Sequence, residues 1–481
     1  MRFAPHHALS AALLLLLLLG ACADQPTTPG AVAAGDAPAL ARSEGQGNIP
    51  TRAEERPGTF ADMADLELWD HVAFSDGVAL VGLKMPGAAR GVYRGEILID
   101  RLSTSQARMA VANQPGIRLL VSDDLLPISE VRIESLEALR ALRRLPMVDY
   151  VEPLYARGDL GSWASIGGCG WPEPWSGEAL LTGPLGDRYS ARFEAMRIPA
   201  AWSVTREGRP VSGEGITIGL TDTGIALSQE ELRAGYSGGS VAGRTVRHMY
   251  LSSLGSSDDA CGHGTRMAGV IAAPDDGRGV QGVAWGANLV NVRHANGVAN
   301  ISTSAARASV RAAGQAGSRI VSMAWQSMNW WWSVSDEIRW WHRYRGVLFF
   351  GAAGTSGCGD LILDSNVVFP ADMGEVVAVT GESYPGGGAP CGIHHGKEVE
   401  LTAYLDVPTS GRYTGDVTSI GGSSNATAVV AGIAALAWQA NPSLTRDQLR
   451  QRLQQSGAFY PSRNSDLGFG LVDALEAVGG Q

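Results

Sequence analysis

The hydrophobic pattern of the 481-residue chain changes character four times. Arg2 opens an apolar stretch that ends in an unbroken row of leucines at 13–19, followed by Gly20, Ala21 and Cys22. Such a stretch is too short for a mature membrane helix, and no later segment reaches the ~18 apolar residues that one needs. Residues 1–21 therefore read as an export signal. Residues 22–65 carry Pro26, Pro29, Pro38, Pro50 and Pro57 among Ala, Gly, Thr and acids with no apolar period, which predicts a tether. Over 66–157 short apolar runs (78–83, 97–99, 117–121, 131–133, 148–151) are interrupted by two helical stretches. In the second of these, Leu136, Leu139, Leu142 and Leu145 recur every three residues behind Ser135, a candidate N-cap, so one stripe faces a sheet. The prediction is a small α+β domain of ferredoxin-like type. Residues 158–190, rich in Gly, Trp and Pro, read as an extended segment containing Cys169. From 191 to 481 strand-like runs (216–220, 289–292, 320–325, 347–350, 376–379) alternate with helical segments. That alternation predicts an α/β domain built on a doubly wound, mostly parallel sheet, with its active site beyond the carboxyl ends of the strands.

Composition narrows the class. Hydrophobic residues at 45% and charged residues at 18% describe a globular chain. A formal charge of −10 argues against nucleic acid as a partner, because holding phosphates takes clustered basic residues. Leu19-Gly20-Ala21-Cys22 resembles the lipobox of bacterial lipoproteins, which implies that Cys22 becomes a lipidated N-terminus. Acyl chains bury ~0.8 kcal/mol per CH₂ and would hold the protein on a membrane surface. Ala23 carries no acidic retention signal, so the resemblance favours the outer membrane, facing periplasm or cell exterior. The remaining cysteines, Cys169, Cys261, Cys358 and Cys391, are even in number, lack a CxxC spacing, and allow two disulfides in three connectivities.

Three positions carry candidate chemistry. The run 216–220 leads into Thr221-Asp222-Thr223-Gly224, which puts a carboxylate at the carboxyl end of a strand with a glycine to turn the chain away. Cys261-Gly262-His263-Gly264-Thr265 opens an apolar helix, so His263 stands at a helix start between glycines that permit close approach to a neighbour. Gly421-Gly422-Ser423-Ser424-Asn425-Ala426-Thr427 leads into an almost wholly apolar helix, whose N–H groups and dipole favour negative charge at Ser424. Aspartate, histidine and serine are the parts of a nucleophilic triad, here in the chain order Asp, His, Ser.

These residues resemble the subtilisin-like serine peptidases, whose triad runs in that order. Asp222 matches the family's D-[ST]-G, His263 its H-G-T, and Ser424 the nucleophile of G-T-S-[MA]-A. The match extends over roughly 195–477 through Gly282-Val283-Ala284, Val430-Ala431-Gly432 and Gly468-Phe469-Gly470-Leu471-Val472-Asp473-Ala474. The preceding domain, ending Val148-Asp149-Tyr150-Val151-Glu152-Pro153, is similar to the family's inhibitory propeptide. The resemblance implies a zymogen, an endopeptidase acting on proteins or peptides through an acyl-enzyme, and no cofactor for catalysis. Family members often bind structural Ca²⁺, but no oxygen-rich loop for it is readable, and no metal site is assigned. The resemblance also places Ala324, Trp325 and Gln326, and Gly351, Ala352, Ala353 and Gly354, along the substrate pockets. Trp325 is bulkier than the family carries there. Thr355 stands where the family has the Asn that donates to the oxyanion, a loss worth ~10²–10³ in kcat in subtilisin. That departure favours the alternative, a weak or silent subtilase-fold lipoprotein that binds peptides or protein partners.

Other signals receive plainer readings. Gly235-Tyr236-Ser237-Gly238-Gly239 fits G-x-S-x-G, but no apolar strand precedes it, so it is a loop. Six of the 13 tryptophans lie at 325, 330, 331, 332, 340 and 341. Ile338, Trp341 and Tyr344 have helical spacing toward a core, whereas three consecutive tryptophans cannot all face inward. His394 and His395, being adjacent, are expected in a solvated loop rather than on a metal.

Overall fold

The computed structural model of the chain describes residues 59–84, 101–155, 169, 174–177, 179–183, 186–236, 238, 243–298, 301–356, 358 and 365–480. The export signal, Cys22, most of the tether and the run at 97–99 lie outside the described residues.

The N-terminal domain runs α1 (Asp65–Phe74), β1 (Val78–Leu83), α2 (Arg101–Ala112), β2 (Ile117–Ser122), β3 (Ile128–Ile133), α3 (Leu136–Arg143) and β4 (Val148–Pro153). Its sheet has the order β2-β3-β1-β4 with every pair antiparallel, the ferredoxin-like arrangement that the alternation of runs predicts. All six residues of β1 are buried because it is central and covered. The leucine stripe behaves as its spacing requires: Leu139 and Leu142 are fully buried, and Ser135 Oγ caps α3 by accepting from Ala138 N at 3.1 Å. Folded structure begins earlier than composition suggests. Phe60 is fully buried, and Arg143 donates to the Ala61 and Met63 carbonyls, so 59–64 join this domain rather than the tether.

The larger domain carries β5 (Thr217–Asp222), β6 (Val246–Tyr250), α4 (His263–Ala272), β7 (Asn288–Arg293), α5 (Thr303–Gln315), β8 (Ile320–Met323), α6 (Trp332–Arg345), β9 (Leu348–Ala352), β10 (Val376–Glu382) and β11 (Leu401–Tyr404). A hairpin, β12 (Val407–Ser410) and β13 (Val417–Ile420), precedes α7 (Gly422–Ala440). The seven strands order as β6-β7-β5-β8-β9-β10-β11, all pairs parallel, which is the doubly wound parallel sheet that the alternation predicts. Alternate residues serve opposite faces: Ile320 and Ala324 pack with α4 and α7, whereas Val321 and Met323 pack with α5 and α6. Helices on both faces explain why these strands read as unbroken apolar runs. The edge strands β6 and β11 mix polar residues into four or five positions and leave no such run.

The two domains meet across α5 and α6. Trp340 packs on Leu80, Leu126 and Ile128 of the N-terminal domain. Tyr150 Oη donates to Asp336 Oδ2 at 3.0 Å, and Thr303 N donates to Leu154 O at 2.9 Å. The fully buried Glu152 accepts from Trp332 N and Ser333 N at the start of α6. Asp123 is bound by Arg307 and Arg311 of α5. Of the three possible connectivities, the disulfides are Cys169–Cys261 and Cys358–Cys391. Among the described residues no helix is long and apolar enough to cross a membrane.

The tryptophan cluster divides as its spacing requires. Trp331 and Trp341 are buried. Trp330 and Trp332 are half-buried, edge to face at 5.8 Å, with Arg339 about equally far from both rings. Gly235 and Tyr236 follow a 3₁₀ turn at Glu230–Leu232, not a strand, and Ser237 lies outside the described residues.

Candidate active site

Asp222 ends β5 beside Arg293 of β7, and its buried carboxylate meets the ring of His263 at the first position of α4. His263 Nδ1 lies 2.8 Å from Asp222 Oδ1 and 3.0 Å from Oδ2. Against a carboxylate Nδ1 is the protonated nitrogen, so Nε2 is left as an acceptor. Thr223 N adds a 2.7 Å hydrogen bond to Asp222 Oδ1. The glycines are what allow this contact. Gly262 adopts φ +85°, and a Cβ on Gly264 would fall 2.2 Å from Gly224 O.

A residue that sequence reasoning missed builds the loop before His263. Asp259, itself buried, accepts from Cys261 N, Gly262 N, Thr265 N, Thr265 Oγ1 and Thr223 Oγ1, at 2.7–3.0 Å. Its signal was an acid six residues before a threonine in the first helical turn, a loose form of N-terminal capping. His294 also escaped notice. It is buried behind Asp222, donates its backbone N–H to Asp222 O at 3.0 Å, and rests its ring against Trp325. Burial pushes its pKa down to about 4, so it adds no charge at neutral pH.

Ser424 is the third residue of α7 and is partly exposed. Its hydroxyl donates to Ala324 O at 3.3 Å, just beyond the end of β8. Asp222 and His263 are thus paired, whereas the Ser424 hydroxyl is turned to the Ala324 carbonyl. Ser424 N has no hydrogen-bond acceptor among the described residues, as expected for an N–H in the first turn of a helix.

The expected pocket residues are distributed differently from their sequence reading. Trp325 does not face the cleft. It is 2% exposed, its indole N–H donates to Thr221 Oγ1 at 2.9 Å, and its ring stacks on Trp331. The two-residue alternation of β8 continues past the strand, so Met323 and Trp325 share the α6 face while Ala324 points to the other. Gln326 extends toward Thr355: its Nε2 donates to Thr355 O and its Oε1 accepts from Thr355 N, each at 2.9 Å. Gly351, Ala352, Ala353 and Gly354 form a buried backbone leading to Thr355, and Gly354, at φ +133°, has His394 Nδ1 2.3 Å from where a Cβ would stand. His394 therefore corrects the expectation of a solvated loop. It is fully buried, with Nδ1 2.9 Å from Asn366 O, because Gly354 leaves room for a ring that sequence adjacency to His395 could not reveal.

Thr355 lies beside the start of α7, but its hydroxyl is engaged. Oγ1 accepts from Ser423 N at 3.1 Å and lies 3.1 Å from Ser423 Oγ, which in turn accepts from Gly354 N. Thr355 thus caps α7 from a distant part of the chain. Among the described residues no group of three or more His, Cys, Asp or Glu side chains is placed to hold a metal ion.

The family model described as the subtilase family matches residues 213–470. The thermostable alkaline protease of Halalkalibacterium halodurans is 34% identical over 273 residues, 56% of this chain and 69% of that protein. Subtilisin Savinase of Lederbergia lenta is 29% identical over 285 residues, 58% of this chain and 98% of that protein. Among solved structures, fervidolysin from Fervidobacterium pennivorans, a keratinolytic enzyme related to subtilisin, superposes with a TM-score of 0.59 at 19% identity, covering 84% of this chain and 61% of that one. MycP1 from Mycobacterium smegmatis gives a TM-score of 0.51 at 19% identity, covering 65% of this chain and 89% of that one. At such identities these two likenesses speak to the fold.

Proposed function

The chain belongs to the subtilase family and is a serine peptidase acting on proteins or peptides without a cofactor, and on that premise we propose that Asp222, His263 and Ser424 are its catalytic triad. The observation that carries this reading is the 2.8 Å contact of His263 Nδ1 with Asp222 at the end of β5, next to β8, whose continuation at Ala324 receives the Ser424 hydroxyl. A serine hydroxyl is too weakly acidic to attack a carbonyl unaided, so His263 Nε2 takes its proton and later returns it to the leaving amine. Asp222 orients the ring and stabilises the imidazolium. In the resting arrangement Ser424 Oγ donates to Ala324 O, so rotation of the side chain toward His263 precedes attack. The developing oxyanion is met by Ser424 N and the N-terminal dipole of α7.

The same proposal makes the protein a zymogen anchored by lipid. Docking of the ferredoxin-like domain on α5 and α6, through Glu152, Tyr150 and Asp123, supports its reading as an inhibitory propeptide. The lipobox-like Leu19-Gly20-Ala21-Cys22 supports anchoring, with the outer membrane favoured. The second reading, a weak or silent subtilase-fold protein that binds peptides or partners, is favoured by Thr355. A fluorophosphonate separates the two, since it modifies only a serine activated by its histidine. Labelling that is lost in Ser424→Ala and in His263→Ala supports the enzyme. A folded wild-type protein that takes no label supports the binding protein.

A further inference from the structure

Beyond their last paired residues, Met323 and Gly351, the neighbouring parallel strands β8 and β9 part company. One continuation, 324–327, reaches Ser424 through Ala324 O and then pairs Ser327 N with Phe369 O. The other, 353–355, reaches the same helix start through Thr355 Oγ1 and receives Val368 N on Ala353 O. Residues 367–369 thus form the floor of a crevice whose two walls both touch the residues around the nucleophile. Val367, Val368 and Phe369 are all buried there, and Val367 packs on Ala353, Ala371, Ala378 and Val399. The Phe369 ring packs against Trp325, Trp330 and Trp331, so it is the buried backbone of 367–369 that closes the crevice beneath.

The mouth is also crossed. The Gln326 amide spans from one wall to the other, satisfying the backbone N–H and C=O of Thr355 with two 2.9 Å hydrogen bonds. The two bonds tie the walls together through the length of the glutamine side chain and place its amide across the opening. A side chain entering it must break both bonds and leave the Thr355 backbone and the Gln326 amide without partners, a penalty that small residues avoid by not entering.

Resting on the peptidase reading, we propose that Gln326 is a specificity-determining residue that closes this crevice and confines the substrate residue donating the scissile carbonyl to glycine, alanine or serine. Trp325 takes no part, since its ring is turned into the core. Gln326 instead sets the width, above the buried backbone of 367–369.

The test is a series of peptides differing only at that residue (Gly, Ala, Leu, Phe), cleaved by the full-chain protein, by Gln326→Gly and by Gln326→Glu. Each variant is first titrated with a fluorophosphonate to count folded, active sites. The ratio of kcat/KM for Phe over Ala should be about 10²-fold below unity in the wild type and should rise at least ~10-fold in Gln326→Gly, mostly through KM. Gln326→Glu keeps the acceptor for Thr355 N but loses the donor to Thr355 O, so its ratio should lie between the two. A wild type that prefers Phe or Leu overturns the proposal. So does an unchanged ratio with a uniform fall in kcat, which would make Gln326 a support for Thr355 only. Failure of the wild type to take the fluorophosphonate overturns the peptidase reading itself, and this inference with it.

Discussion

Thr355 offers the most direct test of how the nucleophile is held. Its hydroxyl accepts from Ser423 N and shares a hydrogen bond with Ser423 Oγ, both at 3.1 Å, at the start of the nineteen-residue α7. Thr355→Val preserves shape and removes both bonds. Loss of a helix cap costs about 1 kcal/mol, and leaving a buried donor unpaired adds a similar amount. The sum, about 2 kcal/mol, corresponds to a fall in Tm of about 4–8 °C in a domain of this size. Ser424 follows directly in the chain, so kcat should fall as well. Thr355→Asn should behave in the opposite sense: its carbonyl oxygen can accept from Ser423 N while its amide supplies the oxyanion donor that threonine lacks. A rise in kcat of up to ~10² with little change in KM is expected, because that bond strengthens mainly in the transition state. Calorimetry and steady-state kinetics on a peptide substrate read both effects. Unchanged Tm and kcat in Thr355→Val would refute the capping role, and a folded Thr355→Asn that gains no kcat would refute the missing donor.

Three further outcomes are expected. Burial raises Glu152 from 4.5 to about 7 despite its hydrogen bonds to α6, so its docked form prefers the proton: its contribution is full below about 4.5 and is lost as pH rises through about 7. Denaturant unfolding should show domain docking weakening by up to about 3 kcal/mol over that window; Glu231 and Asp275 are raised in the same range, so the difference between wild type and Glu152→Gln isolates the effect, and parallel pH profiles would refute it. The disulfides close separations of 92 and 33 residues, worth roughly 5 and 4 kcal/mol by loop entropy, so replacing Cys169 and Cys261 by Ser should lower Tm more than replacing Cys358 and Cys391, and should also depress activity because Cys261 begins the turn into His263. Cys22→Ala should release the protein from membranes or block its export processing, and persistent palmitate label in that variant would refute lipidation there.

What the sequence revealed and what it hid follow from the range of the interactions involved. Asp222 and His263 were legible because their requirements are local: a strand end, a helix start, and glycines where Gly264 must approach Gly224 O. The parallel sheet was legible because burial on both faces erases alternation within each strand. The edge strands were not: β6 mixes Arg247 and His248 into its five residues, and β11 is only four residues long, its outer side bonded to 470–472 rather than to another strand of the sheet. The inward turn of the Trp325 ring was hidden because the resemblance that sets 324–326 along the substrate pockets says nothing of side-chain direction, which the two-residue period of β8 decides. His394 and the hydroxyl of Thr355 depend on partners that only folding brings close, Gly354 in one case and Ser423, sixty-eight positions away, in the other.

Those long-range partners join Gln326, Thr355 and Ser423 into one unit. Every hydrogen-bonding group of Thr355 is committed: its backbone to Gln326 and its hydroxyl to Ser423. Gln326 lies two residues from the carbonyl that holds Ser424 Oγ, and Ser423 is the residue before Ser424. A path of hydrogen bonds therefore runs from one wall of the crevice, across its mouth, to the start of the nucleophile's helix. The Thr355 hydroxyl is spent on the helix start and is not available to the oxyanion, whereas the two-armed amide of Thr355→Asn can serve both. Residues linked in this way do not act independently. Opening the crevice at Gln326 should loosen Thr355 as well, which is why the proposed gate is read from a ratio between substrates and not from the rate with any one of them.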